Sequence, residues 1–131
     1  MAAELVREEL GLQEKADFCS TRKGILNPAD LTMEERGELI RRQPAYGNII
    51  CRCEMISEGE ILDAIHRPLG ATTMDGVKRR TRAGMGRCQS GFCSPKTMEI
   101  LERELKIRQE KITKNGAGSE MILGRNQDGE I

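Results

Sequence analysis

The chain has 131 residues, the length of one small domain with a flanking arm, which excludes two large catalytic domains. Only 37% of them are hydrophobic and Phe18, Tyr46 and Phe92 are the aromatic residues, so the core is a modest one of Leu, Ile and Met and needs something besides burial to hold it. Lys and Arg number 21, as do Asp and Glu, a balance that argues against nucleic acid or an anionic membrane as partner.

Residues Ala2 to Leu10 (AAELVREEL) are strong helix formers stopped by Gly11. So short a helix is marginal in water without a tertiary partner, and it reads as the remnant of something upstream. From Gln13 to Asp30 the pattern is irregular and polar, with Cys19 and the pair Asn27-Pro28, and reads as a connector. Thr32 and Glu35 form a capping box that predicts a helix over Met33 to Gln43, ended before Pro44. Tyr46 to Cys53 (YGNIICRC) suits a short strand or extended segment.

Ser57 with Glu60 makes a second capping box, followed by Ile61, Leu62 and Ile65 on one face of a helix that Pro68 closes. A third helix is predicted over Thr73 to Arg82, with Thr72 and Asp75 at its start and Gly84 past its end. Ser94-Pro95 supplies an N-cap and a first-turn proline for a fourth, with Met98, Leu101 and Leu105 on one side. After Lys114 the chain turns at Asn115-Gly116, forms a brief strand at Met121 to Leu123, and ends in a polar tail expected to be mobile.

The expected fold is therefore mainly α, a small domain of about four helices with one or two short strands and cysteines carried on loops. Residues 1–30 are expected to be remnant and connector, 31–114 the domain, and 115–131 a tail. There is no internal repeat. No run of about 18 apolar residues marks a transmembrane helix, and Met1 leads into charge instead of a signal peptide, so a cytoplasmic location is expected. In a reducing cytosol five cysteines do not suggest a disulfide framework, and an odd number leaves one over.

Cys51, Cys53, Cys88 and Cys93 form a C-x-C and a C-x4-C pair separated by the two middle helices. One four-thiolate metal site is the economical explanation. Cys51 and Cys53 would lie in an extended turn, where i and i+2 side chains share a side. Cys88 falls in a glycine-rich loop and Cys93 directly before a helix, where backbone N–H groups and the helix dipole favour a thiolate.

Zinc remains an alternative, although structural zinc pairs usually have two to four residues between ligands. A [2Fe-2S] cluster, which takes four thiolates and carries net negative charge, fits the spacing better. Between Lys78 and Arg87 (KRRTRAGMGR) there are five cations, and Gly84, Gly86 and Gly91 let backbone N–H groups approach sulfur. The bland alternative is that these arginines are a solvated helix face. Binding of nucleic acid through them would lack interleaved aromatics.

Cys19 lies outside the constellation and is expected to be a free thiol. His66 is the single histidine, which excludes a Rieske-type site by count and points to a packing or dipole-facing role. No nucleophile and base stand near each other in sequence, so the chain alone is not expected to be an enzyme. Neither Gly84-x-Gly86 nor Gly116-x-Gly118 completes a dinucleotide fingerprint, and no FAD site can be built from these residues.

At Ile50 to Glu54 (ICRCE), Ser57 to Ile61 (SEGEI) and Asp75 to Pro95 (DGVKRRTRAGMGRCQSGFCSP), the sequence closely resembles the bacterioferritin-associated-ferredoxin-like [2Fe-2S] domain. It looks like the version at the C-terminus of anaerobic glycerol-3-phosphate dehydrogenases and related FAD-dependent oxidoreductases. The resemblance covers roughly residues 27 to 124, and its C-x4-C spacing agrees with that flavoenzyme-linked group and departs from the small free-standing ferredoxins. It implies Cys51, Cys53, Cys88 and Cys93 as cluster ligands, with zinc a possible substitute in an isolated fragment. It further implies FAD in an upstream domain of a parent protein, and an electron-accepting subunit or quinone-linked partner. Such a parent would oxidise sn-glycerol 3-phosphate and sit in the cytoplasm or peripherally on the inner face of the membrane. The contrasting expectation is a zinc-holding or subunit-docking module with no redox role.

Overall fold

Two capping boxes set the frame of the domain. In the computed structural model, which describes residues 2–13, 15–19 and 21–124, Thr32 opens helix α2 (Met33–Arg42) and Ser57 opens helix α3 (Glu58–His66), after a first helix α1 (Ala2–Leu10). At each start the side chain accepts the N–H three residues on while the glutamate at that position accepts from the cap's own N–H, which satisfies donors the first turn leaves unpaired. The Ser57 box is buried, with Glu60 Oε2 2.8 Å from Ser57 N and 2.7 Å from Ser57 Oγ. Residues 3–10 of α1 are exposed throughout.

Strands β1 (Ile49–Cys51) and β2 (Ile56–Ser57) pair antiparallel, with Ile49 opposite Ser57 and Cys51 opposite Ile56. The expected extended run from Tyr46 is shorter than predicted. Pro44 fixes φ for a 3-10 turn over Pro44–Gly47 instead, which buries Tyr46 against α3 with its hydroxyl donating to Asp63 at 2.6 Å. Helix α4 (Met74–Thr81) is capped by Thr73, not Thr72, and ends on Arg82 in the left-handed conformation. Helix α5 (Ser94–Leu105) begins one residue earlier than expected: Cys93 is the N-cap, and the Ser94 hydroxyl turns back to the Ser90 carbonyl at 2.8 Å.

Ile61 and Ile65 of α3, Val77 of α4 and Met98, Ile100 and Leu101 of α5 meet in one core, closed by Ile112. Ile61, Val77, Leu101 and Ile112 are almost fully shielded, each such side chain contributing about 1.5–3 kcal/mol of transfer free energy. Cys51 and Cys93 belong to the same core. The segment after α5 anchors the start of α4, where Met74 N and Asp75 N donate to the carbonyls of Thr113 and Lys114 at 3.1 and 2.9 Å. The strand expected at Met121 to Leu123 is replaced by an isolated bridge between Thr113 and Glu120, with Met121 N bonded to Ile112 O at 3.0 Å. The expected tail beyond Gly124 lies outside the described residues. Among the described residues no helix is long and apolar enough to cross a membrane.

Candidate metal centre

Four of the five cysteines are brought to one end of the core. Cys51 ends β1 and is 1% exposed; Cys93 caps α5 and is 3% exposed. Cys53 lies exposed in the turn joining β1 to β2, and Cys88 is half-buried in the loop between α4 and α5. The extended arrangement expected for Cys51 and Cys53 does not occur: the tight turn, with Met55 at φ 56°, sends one sulfur inward and the other out. As a result the motifs interleave. Cys53 Sγ stands 3.6 Å from Cys88 Sγ, while Cys93 meets Cys51 beneath them.

The loop from Arg82 to Cys93 is shaped to point N–H groups at sulfur. Gly84 N lies 3.5 Å from Cys51 Sγ. Gln89 and Ser90 are both left-handed, at φ 47° and 72°, and the curl they make turns the N–H groups of Phe92, Ser90 and Gly91 toward Cys88. The Phe92 N–H first, then the Cys53 thiol, hold the Cys88 pKa below its usual value. Burial, and next the neighbouring Cys51, push the Cys93 thiol up to about 11, against the expectation that the helix start alone would favour its thiolate.

Gly86 sets the approach of the two loops. A Cβ there would come within 2.1 Å of Cys53 Cβ, so only a residue without a side chain lets the second loop close over the first. Arg82 Nε reaches Glu54 Oε2 at 2.8 Å and ties the end of α4 to the Cys53 turn. The cations expected to answer a negative centre divide accordingly: Arg79 pairs with Asp75, Arg80 donates to the Leu69 and Gly76 carbonyls, and Arg82 holds Glu54. Arg52 and Arg87 are exposed and, among the described residues, carry no ion pair.

A groove of about 830 Å³ holds the four cysteines and runs on between β1 and α5 past Phe92, Lys96 and Arg103. Among the described residues, no three His, Cys, Asp or Glu side chains gather closely enough to hold one metal ion. Two pairs of thiols, each pair drawn from both motifs, suit two metal ions with two sulfurs apiece better than one tetrahedral zinc. The donor set, the inward N–H groups and the closeness of Gly86 thus fit a two-iron cluster.

Cys19 stands apart, exposed and free, its thiol 3.1 Å from the Thr21 carbonyl. His66 ends α3, where its Nε2 lies 2.9 Å from Glu104 Oε2. The residues that spacing did not single out are Ser90, Glu54 and Asn48. Their roles depend on loop curvature and on contacts far apart in the chain, for which the sequence carries no periodic signal.

Residues 49–103 match the BFD-like [2Fe-2S] binding domain. The chain is 50% identical over 113 residues to a glycerol 3-phosphate dehydrogenase of Caloramator mitchellensis, covering 86% of this chain and 24% of that protein. It is 33% identical over 104 residues to one subunit of the anaerobic glycerol-3-phosphate dehydrogenase of Escherichia coli K12, covering 71% of this chain and 18% of that one. It is also 47% identical over 45 residues to the HcnB subunit of the hydrogen cyanide synthase of Pseudomonas aeruginosa, covering 34% and 9%. The chain therefore spans about a quarter or less of the length of these curated relatives. No solved structure is significantly similar to it.

Proposed function

We propose that this chain, whose residues 49–103 belong to the BFD-like [2Fe-2S] binding domain family, is the electron-transfer module of a larger FAD-dependent oxidoreductase. The observation that carries the proposal is the pairing of Cys53 with Cys88 and of Cys51 with Cys93, two thiols for each of two irons. A cluster bound there supplies one-electron storage, which separates the two electrons of a reduced flavin.

The chain's own residues would hold, shield and present that centre. Cys51, Cys53, Cys88 and Cys93 serve as the ligands. The inner pair sits in the core, where Ile100 and Ile56 are buried with it and water is excluded. The N–H groups of Gly84, Ser90, Gly91 and Phe92 supply partial positive charge to sulfur without a mobile counter-ion. The outer pair opens on a face bearing Phe92, 87% exposed, with the exposed Arg52 and Arg87, which carry no ion pair among the described residues, next to Cys53 and Cys88 in the chain. Exposed apolar surface with a cationic rim suits brief contact with a donor or acceptor protein.

The names of the relatives, a glycerol 3-phosphate dehydrogenase and a subunit of an anaerobic one, support glycerol 3-phosphate as the substrate of the larger protein; an FAD domain in the same protein, a downstream subunit or quinone-linked acceptor, and a place in the cytoplasm or at the inner face of the membrane complete the proposal. The ligand-bearing domain would occupy residues 31–114, with 1–30 connecting it to the flavin domain.

Anaerobic purification followed by iron, acid-labile sulfide and zinc analysis tests the cluster. Equal iron and sulfide, with a visible spectrum that bleaches on dithionite, is the expected result. Stoichiometric zinc that persists through anaerobic iron and sulfide reconstitution would overturn it.

A further inference from the structure

We infer that Arg82 is a positioning residue for the exposed ligand Cys53: through Glu54 it clasps the turn that carries this cysteine, and the clasp governs how long the centre keeps its iron. The inference rests on the cluster proposal above and names the ligand at which such a centre opens first.

The first observation is an arginine where glycine would be favoured. Arg82 caps the end of α4 at φ 69°, in the left-handed region that glycine enters without steric cost and commonly fills at helix ends. Its main chain is fixed on both sides, Arg82 N donating to Lys78 O at 2.8 Å and Arg82 O accepting from Met85 N at 2.9 Å. Behind it the buried Thr81 hydroxyl donates to Val77 O at 3.0 Å and accepts from Ala83 N at 3.2 Å. Arg82 is therefore a rigid post, and a left-handed arginine is the kind of outlier that gathers at functional sites.

The second observation is how little else holds the Cys53 turn. Between Cys51 of β1 and Ile56 of β2, Arg52, Cys53 and Met55 are all exposed, and Met55 is itself left-handed at φ 56°. Glu54 is half-buried, and its Oε2 accepts from Arg82 Nε at 2.8 Å. In the stretch from Lys78 to Arg87, Arg79 turns to Asp75 and Arg80 to the Leu69 and Gly76 carbonyls, so among the described residues Arg82 is the cation that crosses to the C-x-C motif.

A metal centre opens at the ligand with the most freedom to leave. Cys51 and Cys93 are packed in the core and Cys88 is half-buried, whereas Cys53 is exposed on its turn. The Arg82–Glu54 bond links that turn to α4, whose Val77 is fully buried, so drawing Cys53 away from Cys88 breaks a charge-assisted hydrogen bond.

The test compares the anaerobically reconstituted chain with its Glu54→Gln, Arg82→Gly, Arg82→Lys and Glu54→Gln/Arg82→Gly variants, with iron and sulfide measured in each. It follows bleaching of the visible spectrum under excess iron chelator and amide hydrogen exchange of residues 52–55. Glu54→Gln and Arg82→Gly are each expected to bleach about fivefold faster than the parent, the double variant no faster than either, and Arg82→Lys within about twofold of the parent. Exchange of residues 52–55 should quicken in both single variants while that of α4 stays unchanged. An Arg82→Gly chain that keeps its iron as long as the parent would make Arg82 a helix cap and nothing more, and would overturn the inference. Losses that multiply in the double variant would overturn it too, because the two residues would then act separately, as would unchanged exchange of the turn in fully loaded variants. A parent chain that takes up no iron and sulfide would instead refute the cluster proposal itself, and the inference with it.

Discussion

Cys53 Sγ lies 3.6 Å from Cys88 Sγ although they are 35 positions apart in the chain, and Cys51 and Cys93 are neighbours in the core. The outer pair stands in loops at the surface, whereas the inner pair is part of the hydrophobic core. Serine substitutions should separate these two roles. Cys53→Ser and Cys88→Ser are expected to reduce iron content with little change in the unfolding temperature of the metal-free chain. Cys51→Ser and Cys93→Ser should reduce iron content and also destabilise the metal-free chain by about 1–3 kcal/mol, the cost of a hydroxyl placed where sulfur was buried. Iron analysis together with urea unfolding of the metal-free variants checks both, and equal destabilisation by all four substitutions would contradict the division.

Gly86→Ala should separate the two loops. Its methyl group meets the Cys53 Cβ at 2.1 Å, and neither backbone can retreat far while Arg82 holds Glu54 and Gly84 faces Cys51. The expected outcome is at least a severalfold loss of bound iron with helical circular dichroism retained, since none of the helices includes this residue. Full loading of Gly86→Ala would show that the loops do not need this approach.

The exposed rim makes an electrostatic prediction that needs no physiological partner. With Arg52 and Arg87 beside the outer pair, the reduced chain should be oxidised by ferricyanide severalfold faster than its Arg52→Glu/Arg87→Glu variant at low ionic strength. Stopped-flow rates should converge in about 1 M salt, where the screening length falls to about 3 Å. Equal rates at low salt would count against a cationic rim.

The buried capping box at Ser57 should matter more than the exposed one at Thr32, because its polar atoms have no water to return to. Ser57→Ala is expected to cost about 1–2 kcal/mol and Thr32→Ala about half that, measured by denaturant unfolding. Comparable losses would imply that burial adds nothing at the start of α3.

Glu58 gives a pH dependence of defined sign. Hydrogen bonds from Asn48 first, and then from Arg103, hold its pKa below 4.5. A carboxylate depressed on folding contributes its full stabilisation above its unfolded pKa and loses it as pH falls through the folded value. Unfolding free energy should thus decline below about pH 4.5, and less steeply in Asn48→Ala. With Arg103 half exposed, the difference between the two should stay under about 1 kcal/mol. Parallel acid limbs would remove Glu58 as a contributor.

Much of the helical frame was legible in the sequence because its signals are local. Thr32 with Glu35 and Ser57 with Glu60 mark helix starts through bonds that span three residues, and Ile61, Ile65, Met98 and Leu101 lie on the faces their spacing implies. The two cysteine motifs were likewise visible as spacings. The errors fell where a short-range preference competes with a tertiary contact. Tyr46, β-favouring on its own, turns inward to Asp63, and Ser94 yields the N-cap to Cys93 because its hydroxyl is drawn to the Ser90 carbonyl.

What the sequence by itself determined is the helix set and four thiols in two short motifs. What only the tertiary structure decided is which thiol meets which, which pair is buried, and that the Gly84 N–H faces Cys51. Those outcomes depend on loop closure between residues 35 apart and on left-handed backbone at Met55, Gln89 and Ser90. Neither is set by local propensity, because such conformations are unfavourable alone and become stable only when the packed core and the opposite loop hold them.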